Sequence, residues 1–286
     1  MRILVTGAKG QLGSDICSRL AEQKIEYLGI DIAECDLTDN AQVNLVFKNY
    51  APDVVIHCAA YTAVDKAEVE AGLCRKVNVD ATRNVADACK ELVAKMMYIS
   101  TDYVFSGEGE AAFEVDEPYN PQNVYGLTKA DGEKVVREIL NDYFIVRISW
   151  AFGLNGSNFV KTVMRLGKER DSLNVVSDQI GSPTFTYDLA ELLVDMIGTE
   201  KYGIYHATNE GFCSWAEFAQ AIVSIAGIAC KINPIPTAEY PLPAKRPRNS
   251  RLSKKSLDEN GFRRLPTWQD ALVRYTEWAR INSNQG

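Results

Sequence analysis

Tyr125 and Lys129 stand four positions apart in Tyr125-Gly126-Leu127-Thr128-Lys129, a spacing that puts both side chains on one face of a helix. A phenol with an ordinary pKa of about 10 is a poor acid at neutral pH. An ammonium beside it stabilises the phenolate, so the spacing predicts a lowered tyrosine pKa and transfer of the phenolic proton to a developing alkoxide. Such pairs also arise by chance on exposed helices. Here Ser100-Thr101-Asp102 closes an apolar run upstream, at the carboxyl edge where open α/β sheets bind ligands. Thr101 can offer a hydroxyl to the same oxygen. Together these residues point to hydride chemistry at a carbonyl, with Lys129 also free to hold a nicotinamide ribose.

A second constellation supplies the cofactor. Gly7-Ala8-Lys9-Gly10-Gln11-Leu12-Gly13 lies between an expected strand and an expected helix. Gly7 permits a tight turn, Gly10 lets backbone approach a pyrophosphate, and Gly13 lets the helix pack on the strand. Asp31 closes the next strand and can accept hydrogen bonds from an adenosine ribose. Its carboxylate tends to repel a 2′-phosphate, whereas Lys9 could offset that, so either NADH or NADPH is expected. Asp36-Leu37 follows in a loop that could reach the adenine.

These groups need a scaffold. Apolar runs at 2–6, 27–30, 53–60, 95–100 and 143–149 read as strands. Helical patterns fall between them: one with Leu12, Ile16 and Leu20 on a face, one capped by Thr38 and running to Tyr50, a long one over 70–94, and one from Tyr125. The alternation predicts an α/β fold, a Rossmann-type doubly wound parallel sheet with a smaller C-terminal substrate-binding lobe. Residues 1–150 would bind NAD(P). Residues 151–286 would mainly shape the substrate side, with elements from about 172–210 returning to the sheet. In that half, helices are expected near 157–170 and 186–198 and strands at 173–177 and 203–207. A capping box at Ser214–Glu217 should open a helix to about Ala226. Residues 231–252 show little periodicity, and the last helix starts near Thr267.

Composition excludes several classes. The 286 residues carry a net charge of −7, which argues against a nucleic-acid partner; Lys245, Arg246, Arg248 and Arg251 form one local basic patch. No apolar run reaches membrane-spanning length and no signal segment stands at the N-terminus. Seven scattered cysteines without C-x-x-C spacing fit a reducing, cytoplasmic compartment. His57 and His206, the only histidines, read as core residues, and Phe212, Trp215 and Phe218 as helix packing.

On these motifs the chain resembles the extended short-chain dehydrogenase/reductases, and within them the dTDP-4-dehydrorhamnose reductase family. The matching stretches are Gly7–Gly13, Ala59–Asp65, Asn78, Ser100–Phe105, Tyr125–Lys129, Arg147–Trp150, Asp178–Thr184 and Arg246–Ser250. The resemblance implies reduction at C4 of dTDP-4-dehydro-L-rhamnose, a small-molecule sugar nucleotide. It makes Thr101, Tyr125 and Lys129 a catalytic triad and lines the cofactor groove with Ala59, Ala60 and Tyr61. It packs Trp150 on the sugar and sets Asp102 against a sugar hydroxyl, with Arg248 and Asn249 toward the diphosphate. Related dehydratases carry Thr-Asp-Glu, whose carboxylates eliminate water; Tyr103 cannot serve as that base. An epimerase, another sugar-nucleotide reductase, or a non-catalytic dinucleotide-binding subunit like that of methionine adenosyltransferase stays compatible with parts of the pattern. Some relatives dimerise around magnesium held by acidic residues. Asp15 stands near one such position but no ligand set assembles around it, so no metal is expected and a homodimer is left open.

Overall fold

In the computed structural model, which describes residues 1–283 and side chains through 280, the fold is built on six parallel strands. They are β1 (Ile3–Thr6), β2 (Tyr27–Ile30), β3 (Val54–His57), β4 (Lys95–Thr101), β5 (Tyr143–Ile148) and, after four short strands, β10 (Gly203–His206). The four are β6 (Ala151–Phe152), β7 (Ser172–Val176), β8 (Ile180–Gly181) and β9 (Thr184–Phe185). The sheet order is β10-β5-β4-β3-β1-β2. Connections run one way from β1 to β2 and the other way from β3 onward, which opens a crevice at the carboxyl ends of β1 and β3. Thr6 pairs in register with both Ile30 and His57, so these strand ends are level.

Helices cover both faces because central strands such as β1 and β3 are buried on both sides. On one face, α1 (Gln11–Glu22) packs through Leu12, Ile16 and Leu20. On the other, α2 (Asn40–Tyr50) contributes Val43 and Phe47. Asp39, not Thr38, caps α2: its carboxylate accepts the N–H groups of Ala41 and Gln42, while the Thr38 hydroxyl is turned back to Asp36. After α3 (Val64–Ala67), the helix expected over 70–94 is interrupted. It runs as α4 (Ala71–Arg75), a π-turn at Lys76–Asp80 and α5 (Ala81–Leu92). The π-turn carries buried Asn78, whose side chain accepts the Tyr61 N–H and donates to Thr128 Oγ1. Single i→i+5 turns inside helices are rare and occur frequently at functional sites.

The helix carrying the catalytic candidates is α6 (Val124–Ile139), capped by the Asn123 side chain. Beyond β5 the chain builds the second lobe with α7 (Phe159–Glu169), then returns through α8 (Thr186–Ile197), whose Leu189, Leu192 and Leu193 join the α1 face of the core. Within 172–210, α8 and β10 thus meet the main sheet, whereas β7, β8 and β9 pair elsewhere. The capping box at Ser214–Glu217 opens α9 (Trp215–Ala226), preceded by β11 (Cys213–Ser214). The stretch 231–252, weakly periodic in sequence, holds two strands. β12 (Lys231–Ile235) pairs in parallel with β7, and β13 (Asn249–Ser250) with β8. Two-strand edges tolerate Pro234 and show little alternation. The last helices are α10 (Lys255–Glu259) and α11 (Trp268–Ser283). Among the described residues no helix is long and apolar enough to cross a membrane.

Candidate active site

The carboxyl ends of the central strands open into a cleft of about 890 Å³. The glycine turn forms one wall, and its glycines are required sterically. Gly7 has φ +66°, and a Cβ there would lie 2.8 Å from the Ala59 nitrogen. A Cβ on Gly13 would lie 2.2 Å from the Gly7 carbonyl oxygen. Gly10 precedes the first turn of α1, whose free N–H groups form an anion cradle. Gln11 and Leu12 line the cleft with the three glycines, as do Ala59 and Ala60, which follow β3. Asp31, Asp36 and Leu37 border its far end. The turn, the bare backbone and the strand-end carboxylate fit a dinucleotide, with the pyrophosphate at Gly10–Gly13 and the adenosine at Asp31. Two expected groove residues sit differently. Lys9 is not among the lining residues; its ammonium is 2.6 Å from Glu34. Tyr61 turns away to donate its hydroxyl to Glu70, an acceptor on the outer face.

Thr101, Tyr125 and Lys129 converge on the same cleft. Thr101 ends β4, donates to Asp102 Oδ1 at 3.0 Å and accepts the Tyr103 N–H. Gly126 permits the approach of α6, since a Cβ there would lie 2.2 Å from the Tyr103 carbonyl oxygen. The Tyr125 ring stands edge-on to Tyr103 at 5.4 Å. Lys129 is buried, donates to the Ile99 carbonyl at 2.7 Å and lies 4.0 Å above the Tyr98 ring.

The electrostatics correct one expectation. Burial pushes the Tyr125 phenol up from its ordinary value, opposed by the Thr101 hydroxyl and reinforced by the Asp102 carboxylate. Lys129 does not lower it, because the ammonium is itself desolvated: burial pushes Lys129 down to about 7, against the pull of Glu133. Glu133, one turn further along α6, is fully buried and held by Arg147 (Nη2–Oε2 2.7 Å) and by the Ser100 hydroxyl. Asp102 is almost fully buried; desolvation raises its carboxyl to about 6, opposed by the Ser250 and Thr101 hydroxyls. Thr101 takes Oδ1, which among the described residues leaves the buried Oδ2 with only the Ser250 hydroxyl beside it.

The opposite wall is aromatic. Trp150 follows β5 with φ +50°, a left-handed conformation uncommon outside glycine. Its indole stacks on Trp215 at 3.7 Å. The Asp178–Thr184 stretch holds this arrangement. A Cβ on Gly181 would come within 2.8 Å of the Trp150 ring. The Ser149 hydroxyl donates to the Ser182 carbonyl, and the Thr184 hydroxyl donates to the Ser149 carbonyl. Trp215, expected to pack a helix, therefore also lines the cleft. Phe212 is exposed rather than packed. Phe218 lies in the core of the second lobe.

Two expected substrate residues, Asn249 and Arg248, lie off the cleft lining, and a neighbouring arginine takes their place. Asn249 is buried within β13, donating to the Ala111 carbonyl and accepting from Arg251. Arg248 is exposed and leans toward Asp178 at 3.9 Å. Pro247, between Arg246 and Arg248, packs against Gly107, and Arg246 is the arginine on the cleft. Asp65 anchors it at 2.7 Å. Asp15 is buried and accepts the Thr186 hydroxyl. His57 and His206 are both buried: His57 bonds Thr6 and Thr82, and burial pushes it down to about 3.

Comparison with known proteins agrees with this fold. The family described as RmlD substrate binding domain matches residues 1–280. A dTDP-4-dehydrorhamnose reductase of Aggregatibacter actinomycetemcomitans is 39% identical, with 97% of this chain and 99% of that protein covered. Among solved structures, a dTDP-4-dehydrorhamnose reductase from Clostridium acetobutylicum superposes with a TM-score of 0.95 at 41% identity, covering 100% of both chains. One from Bacillus anthracis, in complex with NADP, gives 0.94 at 43% identity, covering 96% of this chain and 98% of that one.

Proposed function

The chain belongs to the dTDP-4-dehydrorhamnose reductase family, and we infer that it reduces the C4 ketone of dTDP-4-dehydro-L-rhamnose to give dTDP-L-rhamnose, using NADH or NADPH. The observation that carries this reading is the convergence of Thr101, Tyr125 and Lys129 on the cleft that the Gly7–Gly13 turn opens. The nicotinamide, when bound, supplies the hydride. Thr101 would hydrogen-bond the ketone oxygen and fix its orientation. Tyr125 would pass its phenolic proton to that oxygen as negative charge develops there. The transfer stays downhill with a raised phenol pKa, because an alkoxide is more basic than a phenolate. Lys129 would hold the ribose and add positive charge beside the reacting oxygen. Asp102, which lines the cleft and keeps acceptor capacity on Oδ2, would accept a sugar hydroxyl. The Trp150–Trp215 wall would pack on the apolar face of the deoxysugar, and Arg246 would meet the diphosphate.

We read residues 1–150 as the cofactor-binding part and 151–286 as mainly the substrate-binding part, in a cytoplasmic enzyme. All seven cysteines are free thiols, which supports a reducing compartment. The test follows NAD(P)H absorbance with the 4-keto sugar nucleotide as substrate. Turnover by the wild type with a loss of at least ~10²-fold in kcat for Tyr125→Phe is expected, since a positioned general acid contributes 10²–10⁴-fold. No turnover with either nucleotide refutes the reading. Full activity in Tyr125→Phe removes Tyr125 as the acid.

A further inference from the structure

The adenosine end of the cleft holds a charge latch, and its interpretation rests on the dinucleotide site proposed above. Asp31 accepts the Lys9 N–H at 3.1 Å and the Ile32 N–H at 2.9 Å. Glu34 lies within the same turn of chain and ties both partners together. Its Oε2 accepts the Asp31 N–H at 2.9 Å, and its Oε1 takes the Lys9 ammonium at 2.6 Å. Each partner favours the charged form of the other: Glu34 raises the Lys9 pKa, and Lys9 lowers that of Glu34.

The lining around Asp31 comprises Ile32, Cys35, Asp36, Leu37 and Thr38, which adds a second carboxylate and no cation. A ribose 2′-hydroxyl finds an acceptor in Asp31. A 2′-phosphate brings close to two negative charges and needs cationic donors. Lys9 is the cation of this turn, and Glu34 already neutralises it. We propose that Glu34, by latching Lys9 beside Asp31, is the residue that sets a preference for NADH over NADPH. Phosphate capture would require Lys9 to leave Glu34, and the freed Glu34 carboxylate would then repel the same phosphate.

Both latch residues are exposed, and exposed ion pairs are weak, so the latch biases the choice and does not abolish NADPH binding. Fluorescence titration of NADH and NADPH without sugar nucleotide tests this independently of turnover. The wild type should bind NADH ~5-fold or more tightly than NADPH. E34Q should lower the ratio of NADPH Kd to NADH Kd by ~3- to 10-fold, a gain that shrinks as salt rises. The double variant E34Q/K9M should lose that gain, because Lys9 is what E34Q releases. A wild type that binds NADPH more tightly overturns the proposal. An unchanged ratio in E34Q overturns it too, as does a gain that survives K9M. If neither nucleotide binds the wild type, the dinucleotide site itself is refuted.

Discussion

Replacing Asp102 with asparagine should make the protein more stable and less active. Asp102 is 3% exposed and its carboxyl is raised from 3.8 to about 6. Burial disfavours the ionised form, so above pH 6 the fold holds a carboxylate that unfolding would relax. For a raised pKa the favourable contribution is full below the unfolded value of 3.8 and is lost as pH rises through 6. The shift of about two units corresponds to about 3 kcal/mol at pH 7.5, falling to about 1 kcal/mol at pH 4.5, where the folded carboxyl is neutral and the unfolded one mostly ionised. Asparagine preserves an acceptor for the Thr101 hydroxyl and sets an N–H₂ beside the Ser250 hydroxyl, which can accept from it. Urea denaturation of both proteins at the two pH values measures the difference directly. The expected result is a gain of about 3 kcal/mol at pH 7.5 that shrinks by about 2 kcal/mol at pH 4.5, together with reduced kcat/KM at either pH. An equal effect at both pH values, or a loss of stability at pH 7.5, would refute the reasoning.

Three further outcomes follow from the same geometry. The ammonium of Lys129 is present below about pH 7 and lost above it, so kcat/KM should decline as pH rises past 7, and Lys129→Met should lack that limb in a pH–rate profile. Gly13→Ala forces a methyl to within 2.2 Å of the Gly7 carbonyl and should weaken NADH binding more than 10-fold in a titration. Arg147→Met leaves Glu133 charged and buried without its guanidinium, and thermal or urea unfolding should show a loss of about 3–5 kcal/mol.

Much of the scaffold could be read from the chain because parallel strands buried on both faces appear as unbroken apolar runs, as at Val54–His57. The triad could be read because Tyr125 and Lys129 lie within one helix and Thr101 ends one strand. What escaped depended on distant partners. The π-turn at Lys76–Asp80 answers to Tyr61 and Thr128, neither of them nearby in sequence. Arg246 and Arg248 look equivalent until Asp65 anchors Arg246. Trp215 reads as an ordinary helix residue until Trp150 arrives from the end of β5. The small size demanded of Gly181 was the available hint, since a glycine inside Asp178–Thr184 marks close approach by something bulky. The lowered tyrosine pKa failed for a different reason: spacing places two groups together but says nothing of the water both have lost.

The two stacked indoles have a spectroscopic consequence. Trp150 hangs from the end of the main sheet and Trp215 opens a helix of the second lobe, with ring centres 3.7 Å apart and planes within 15°. Chromophores that close share their excited states, so the pair should dominate the near-ultraviolet circular dichroism of a chain with four tryptophans. A ligand that inserts against this wall, or pries the sheet from the second lobe, would change that band without any label. The stacked wall of the cleft thus doubles as an optical gauge of how the cleft fills.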